Sequence, residues 1–83
     1  MELMENNNSE LVELDIPATS STVGKQIVEL ELPKTALIVL IHRDNNYITA
    51  NGQTVIQAGD HLLIMVDKDK VKSVYQSLDV TKA

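Results

Sequence analysis

The sequence predicts a small α+β domain whose elements follow the order β-α-β-β-β-β-α, with two helices beside a mixed or antiparallel sheet. Apolar and acidic residues alternate from Val12 to Ile16, which is typical of a strand with one buried face. Two almost continuous apolar runs, ALIVLI at 36–41 and HLLIMV at 61–66, are typical of strands covered on both faces. Glycine turns at Asn51-Gly52 and at Gly59 bound a segment that is too short for a helix.

The first strand is followed by a predicted helix. Pro17 closes the strand, because proline cannot donate a hydrogen bond to a sheet ladder. The candidate N-caps of the helix are Ser20, Ser21 and Thr22. Its apolar face, at i, i+4 and i+7, comprises Val23, Ile27 and Leu30. Gly24 in the first turn is expected to pack closely against another backbone, and Pro33 ends the helix.

The centre of the chain alternates strands with turns. The run at 36–41 predicts the central strand of the sheet, and Asp44-Asn45-Asn46 predicts the turn after it. A short strand, YITA at 47–50, is followed by a hairpin turn at Asn51-Gly52 and a returning strand, QTVIQ, at 53–57. These segments therefore predict a compact cluster of short strands.

The last third of the chain predicts a strand and a second helix. Ala58-Gly59-Asp60 forms a turn in which Gly59 is expected to have a positive φ. The strand at 61–66 follows. Alternatively, this strand and the one at 53–57 form a single bent strand. Asp67 is placed to cap the second helix. The apolar stripe of this helix comprises Val71, Val74, Tyr75 and Leu78.

Composition argues against several functions. The chain carries 7 basic and 12 acidic residues, a net charge of -5. This acidic balance argues against the binding of nucleic acid, because positive charge on the protein supplies most of the affinity for a nucleic-acid backbone. The absence of cysteine excludes disulfides and thiolate zinc sites. The longest apolar run is far shorter than the roughly 20 residues that a membrane-spanning helix needs.

The length predicts one domain. We expect residues 1–10 to form a disordered lead-in, residues 11–79 the folded domain and residues 80–83 a frayed tail. A domain of this size buries only about 60% of its unfolded surface, and two short helices cannot cover two strands that are apolar on both faces. We therefore expect a homodimer.

Few residues suggest chemistry. Arg43 is the only arginine, and it ends an apolar strand. It either binds a phosphate or carboxylate in a bidentate contact, or forms an ion pair across a dimer, or simply extends into solvent from the end of the strand. His42 and His61 are either a metal-binding or pH-sensing pair or, as is more common without a recognisable ligand spacing, surface residues. No nucleophile has a base placed beside it by the sequence, so we expect neither a catalytic site nor a metal site.

The stretch from Ile16 to Met65 resembles the TrkA-C (RCK-C) domain, and the resemblance extends from Leu11 to about Leu78. The matching features, in order along the chain, are Pro17, Val23-Gly24-Lys25, Glu29-Leu30, Leu32-Pro33, Ile41, Arg43, Gly59-Asp60 and Leu62-Leu63. The resemblance implies a small regulatory module of bacterial potassium channels, transporters and cation/proton antiporters. It covers nearly the whole predicted domain.

The version that this sequence looks most like directly follows the membrane domain of potassium/proton or sodium/proton antiporters. The resemblance therefore implies a non-catalytic, ligand-sensing homodimer on the cytoplasmic side, tethered to the inner membrane by the antiporter or channel part of the same protein. The Gly-x-Gly-x-x-Gly fingerprint of a nucleotide-binding partner domain is absent from the sequence.

The resemblance also implies a ligand-binding segment. Its residues are Ile41, Arg43, Tyr47, Ile48, Thr49, Ala50 and Asn51. If they lie on adjacent antiparallel strands, their side chains converge on one surface. Arg43 is then the charge anchor for a small anionic or nucleotide-like ligand between two protomers, which in some relatives is cyclic di-adenosine monophosphate. The sequence itself identifies no cofactor. The alternative function is a stand-alone dimeric ligand-binding or scaffold protein unrelated to transport.

Overall fold

The computed structural model describes residues 8–80. Four strands form one sheet in the spatial order β1-β4-β2-β3, and every neighbouring pair is antiparallel. The strands are β1 (Ser9–Asp15), β2 (Leu37–Arg43), β3 (Asn46–Thr49) and β4 (His61–Asp67). One α-helix, α1 (Val71–Ser77), and two 3-10 turns, Ile27–Glu29 and Lys68–Lys70, complete the regular structure of these residues. The predicted α+β class is confirmed, with a wholly antiparallel sheet.

The predicted first helix is wrong. Gly24, Ile27 and Val28 direct their backbone N–H groups to the segment at 52–56 instead of to the preceding turn. Gly24 N–H donates to Ile56 O at 2.8 Å, and Val28 N–H donates to Gly52 O at 2.8 Å. These donors are the ones that an α-helix would use in its first turns, so only a single 3-10 turn forms.

Gly24 also differs from its expected role. A Cβ built at this position meets nothing within 4 Å, so close packing is not the reason for the glycine. Its φ of 91° is the reason, because this region of conformational space is unfavourable for residues that carry a Cβ.

The predicted hairpin at Asn51-Gly52 is wrong as well. Neither residue has a positive φ, and 53–57 does not pair with β3; it forms only an isolated antiparallel bridge, between Val55 and Gln26. The two-residue hairpin turn lies between β2 and β3, where Asp44 and Asn45 have φ values of 50° and 65°. Two consecutive positive φ values are the signature of a type I′ turn, and they confirm the turn that was predicted there.

The residues predicted to cap the two helices do not form those caps. Ser20 and Thr22 are buried, and both hydroxyls donate to Leu78 O at the end of α1, at 2.6 Å and 3.4 Å. They therefore satisfy the C-terminal end of the second helix instead of the start of a first one. Asp67 precedes the 3-10 turn and forms no side-chain cap.

The core lies on one face of the sheet. Its buried residues are Val12, Leu14, Ile16, Ile38, Ile41, Ile56, Leu62, Ile64, Val66, Val74 and Leu78. β1 and β4 contribute alternate residues, whereas an irregularity in the pairing of β2 between Ile38 and Leu40 places its two core residues, Ile38 and Ile41, three apart. The other core residues include Ile56 from the loop before β4 and Val74 and Leu78 from the helical end. Tyr75, predicted to be a core residue, is partly buried against this cluster.

The ends of the domain extend slightly beyond the predicted bounds. β1 begins at Ser9, two residues before the predicted start of the domain. At the other end Val80 packs against the core, and its N–H donates to Tyr75 O at 3.0 Å. The remainder of the predicted lead-in, 1–7, and of the predicted tail, 81–83, lies outside the described residues. None of the helices in the described part reaches the length and hydrophobicity that crossing a bilayer requires.

The opposite side of the sheet, here called the open face, follows from the strand register. Paired residues point to the same side, so the face comprises Leu11, Glu13, Asp15, Leu37, Leu40, His42, Tyr47, Thr49, His61, Leu63 and Met65. Leu11, Met65 and Leu37 form one row across three strands, and all three are exposed. The segments of residues 8–80 that join the core pack against the other face.

Gly59 provides a direct test of the turn before β4. Its φ of 86° confirms the predicted positive value. Since a Cβ would meet nothing within 4 Å, Gly59→Ala should lower the free energy of unfolding by about 1 to 3 kcal/mol through backbone strain alone. Gly52→Ala is the matched control, because its φ is unstrained and its Cβ would make an ordinary 3.5 Å contact with Val28 Cβ. Equal urea unfolding curves for the two variants would contradict this explanation.

Candidate functional site

The predicted ligand-binding residues occupy the β2–β3 hairpin and the chain that leaves it, but they do not converge on one surface. Ile41 and Ile48 are paired in register and face the core, and Ile41 is fully buried. Tyr47 and Thr49 lie on the open face, and Tyr47 is 71% exposed. The expected convergence is therefore wrong, because a period of two along each strand separates neighbouring side chains onto opposite sides.

Arg43 forms an internal ion pair with Asp60. Its Nε donates to Asp60 Oδ1 at 2.7 Å and its Nη2 donates to Asp60 Oδ2 at 2.8 Å, which is the bidentate geometry of a strong charge-assisted contact. Nη2 also donates to Val55 O at 2.8 Å. Asp60 is fully buried. The hydrogen bond to Asp60 raises the pKa of Arg43 above its ordinary value, so the guanidinium stays charged under all working conditions.

Asp60 connects the loop before β4 to the rest of the domain. Its Oδ2 accepts the Gln57 N–H at 2.9 Å, and its backbone carbonyl accepts the Ile16 N–H at 2.8 Å. Gly59 N–H donates in turn to Ile16 O at 2.7 Å. Arg43 thus fixes a loop through a buried carboxylate. Of the three interpretations of Arg43, a bidentate carboxylate contact applies, with the carboxylate supplied by its own chain.

Ala50 and Asn51 line a small cavity at the edge of the core. The cavity has a volume of about 150 Å³, and its other lining residues are Ile27, Leu32, Ala36, Leu37, Ile38 and Gly52. Its wall is therefore almost entirely apolar and suits a flat or aliphatic group. Asn51 N–H donates to Thr54 Oγ1 at 3.1 Å, and Asn51 Oδ1 accepts from Gln53 N–H at 2.8 Å. These bonds fix the shape of the cavity rim.

A cluster of titratable groups lies on the open face. His61 Nδ1 is 2.7 Å from Asp15 Oδ1, and His61 Nε2 is 2.8 Å from Glu13 Oε1. The hydrogen bond to Asp15 and then that to Glu13 raise the pKa of His61 above its ordinary value. His42 is the strand neighbour of His61, and it stacks on Tyr47 with ring centroids 4.6 Å apart. A cavity of about 340 Å³ lies over this group.

The two histidines are strand neighbours with different partners. Both ring nitrogens of His61 face carboxylates, and no group of three or more metal-ligating side chains occurs among residues 8–80. Glu13 and Asp15 were absent from the sequence-based candidates. Their period-two spacing places them on one strand face, but only the β1–β4 register brings His61 between them.

The fold and these sites define a small antiparallel-sheet domain with a buried ion pair, an apolar cavity and an exposed sheet face. The TrkA-C domain model matches residues 11–79. The chain belongs to the TrkA-C domain family.

Potassium uptake proteins are among the relatives of this chain. The Trk system potassium uptake protein TrkA homolog 2 of Methanosarcina mazei is 28% identical over 71 residues, which cover 86% of this chain and 16% of that protein. The Trk system potassium uptake protein TrkA of Haemophilus influenzae is 40% identical over 57 residues, which cover 68% of this chain and 12% of that protein. The chain thus corresponds to a small part of these relatives.

Solved structures of S. agalactiae BusR share the fold. The RCK_C domain dimer of BusR in complex with c-di-AMP matches with a TM-score of 0.70 and 26% identity, covering 83% of this chain and 95% of that one. BusR in complex with its busAB-promotor DNA matches with a TM-score of 0.71 and 26% identity, covering 84% of this chain but 36% of that one. Since a protein with this domain binds DNA, the absence of nucleic-acid binding in the present chain stays a prediction.

The Arg43–Asp60 pair should be central to stability. Asp60→Ala removes the buried carboxylate and leaves the guanidinium without its partner, so the free energy of unfolding should fall by about 3 kcal/mol. Asp69→Ala, at an exposed acidic residue outside the sheet, is the control and should change it by less than about 0.5 kcal/mol. The double variant Arg43→Ala/Asp60→Ala should lose less than the sum of the two single variants. Additive losses in chemical denaturation would contradict the pairing.

The His61 cluster should make stability depend on pH. The pKa of His61 is raised in the folded state, so its stabilising effect is complete below the unfolded pKa of about 6.5 and disappears as the pH rises through the folded pKa. The thermal midpoint of the wild type should therefore decrease as the pH is raised above about 6.5. His61→Gln should remove most of this slope, whereas His42→Gln should retain it. Equal slopes in all three proteins would exclude His61 as the titrating group.

Proposed function

We propose that this chain is a non-catalytic regulatory domain of a monovalent cation transport protein, and that it senses a small ligand as a homodimer on the cytoplasmic side of the membrane. The observation that carries the proposal is the match of residues 11–79 to the TrkA-C domain, together with potassium uptake proteins among the relatives. The more specific assignment is to a cation/proton antiporter whose membrane part belongs to the same polypeptide. It rests on the sequence resemblance alone.

The proposed ligand is a small anionic or nucleotide-like molecule that binds between two protomers near Ala50 and Asn51. Two features support this position. The cavity there is apolar, as a nucleobase pocket requires, and the BusR domain that shares the fold is a dimer with c-di-AMP. Arg43 is neutralised by Asp60, so we propose that it positions the neighbouring loop and does not itself anchor the charge.

The proposed mechanism is a population shift. A ligand held between two protomers has a higher affinity for one dimer geometry than for the others, and this difference is the free energy that biases an attached membrane part. The hydrogen bonds that join the hairpin through Arg43 and Asp60 to the start of β4 support such a mechanism, because they attach the loop that follows Ala50 and Asn51 to the sheet.

A second candidate function is a sensor domain in a protein outside transport. The observation that favours it is that a structural neighbour, BusR, is solved both with c-di-AMP and with promoter DNA. The two functions predict the same ligand site but different attached parts. In the full-length protein, a ligand-dependent change in cation flux in vesicles supports transport, whereas a ligand-dependent change in DNA affinity supports the second candidate.

The ligand site is tested by calorimetric titration with cyclic di-adenosine monophosphate. Ala50→Leu fills the cavity and should raise Kd by at least about tenfold, because the group that enters the wild-type cavity is excluded. Ala58→Leu makes the same chemical change at an exposed turn outside the cavity and should leave Kd unchanged. Equal affinities of all three proteins would place the ligand elsewhere. Absence of binding to the wild type would exclude this ligand.

A further inference from the structure

β1 is the longer of the two edge strands of the sheet. In the order β1-β4-β2-β3 it pairs with β4 alone, and its seven residues pair without interruption from Ser9 to Asp15. The other edge strand, β3, has four residues and leads directly into Ala50 and Asn51 at the proposed ligand site. A long, regular edge strand presents backbone groups on which a further strand can form. β1 therefore offers a binding surface on the opposite edge of the sheet from the proposed ligand site.

The hydrogen bonds at the two ends of β1 identify the backbone groups that point outward. Directly before the strand, Asn8 O accepts the Lys68 N–H at 2.8 Å, and directly after it, Ile16 N–H donates to Asp60 O at 2.8 Å. Both of these residues therefore bond on the β4 side, and in an antiparallel ladder this direction alternates from one residue to the next. The residues that direct their N–H and C=O groups away from β4 include Leu11, Glu13 and Asp15. No other segment of the part of the chain that the structure describes pairs with this edge.

The side chains along this edge are acidic. Glu10, Glu13 and Asp15 are all exposed, and β1 contains no lysine or arginine. His61 contacts one carboxylate oxygen of Glu13 and one of Asp15, and these two side chains stay 66% and 78% exposed. Each carboxylate can therefore accept a further contact from a group outside the domain. Leu11, which is 56% exposed, is the apolar side chain next to them on the same face.

The charge of the edge restricts which strand can pair with it. A second copy of β1 would bring acidic side chains of both copies together, and like charges opposite each other on neighbouring strands are destabilising. A strand with lysine or arginine opposite Glu13 and Asp15 would instead form favourable pairs, and an apolar residue would suit the position opposite Leu11. The same two carboxylates thus disfavour an acidic strand and favour a basic one.

We propose that the outer edge of β1 binds an extended segment of another protein chain, which adds to the sheet as an antiparallel strand with basic residues opposite Asp15 and Glu13 and an apolar residue opposite Leu11. Along that segment the pattern is basic-x-basic-x-apolar. In this mode of recognition the backbone hydrogen bonds supply affinity, and alternate side chains supply specificity. The inference adds a protein partner to the proposed regulatory domain and does not depend on the proposed ligand.

The edge is tested by NMR titration of the 83-residue chain with the end-blocked peptide Thr-Lys-Thr-Lys-Thr-Val-Thr. The peptide has the proposed pattern, so its Kd should be about 1 mM or tighter, with the largest signal shifts in β1. N-methylation of both lysines removes the donors that face β1 and should raise Kd at least about tenfold. N-methylation of the two threonines that flank the second lysine is the matched control. It removes donors that point away from β1, so Kd should stay unchanged.

Protein variants test the role of charge in the same titration. The double variant Glu13→Gln/Asp15→Asn keeps the shape of both side chains but removes their charges, and it should raise Kd by about tenfold. The double variant Asp44→Asn/Asp69→Asn is the matched control, because it removes two exposed carboxylates that lie outside β1. Its Kd should differ from that of the wild type by less than about twofold. Circular dichroism identifies any variant that fails to fold.

Each negative outcome overturns a defined part of the inference. Absence of shifts in β1 of the wild type at about 1 mM peptide overturns the site itself. Equal Kd values for the two N-methylated peptides would mean that charge alone attaches the peptide, and they overturn the addition of a strand. Equal Kd values for the two double variants overturn the basic pattern of the partner. The proposed ligand site is decided separately by the Ala50 titration.

Discussion

The bidentate contact between Arg43 and Asp60 is the interaction on which the arrangement of this domain depends. It joins the end of β2 to the loop that precedes β4, and Asp60 in turn fixes Gln57 and the end of β1. A fully buried carboxylate is tolerable only when a cation and further hydrogen-bond donors compensate it. In a domain without disulfides or a metal group in its described part, this polar connection determines how the long loop closes over the core.

A second constraint is the pairing of two segments that are not regular strands. Residues 24–28 and 52–56 exchange backbone hydrogen bonds, and the carbonyl of Lys25 accepts the N–H of Ile56 at 2.9 Å. This pairing occupies the groups that a helix would need, and it positions Ala50, Asn51 and Gly52 beside Ile27 at the apolar cavity. The candidate ligand site is therefore a product of loop pairing and is supported by the core behind it.

One face of the sheet is covered by the rest of the described chain, and the other is exposed. One face is closed by Ile56 and by the helical end of the chain, including Val74 and Leu78, and supplies stability. The other face combines an exposed apolar row with the cluster of Glu13, Asp15 and His61, whose net charge changes when His61 loses its proton.

The sequence by itself determined the strands at β1, β2 and β4, the turn at Asp44-Asn45, the positive φ of Gly59 and most of the apolar core. These features depend on local periodicity and on the conformational preferences of single residues, and both can be read from a few neighbouring residues. The tertiary structure alone decided the partner of Arg43, the loss of the first helix, the separation of Ile41 from Tyr47 and the position of His61 between two carboxylates. Each of these depends on which distant segment supplies a hydrogen bond or a counter-charge, and strand register and loop closure fix that choice only when the whole chain is folded.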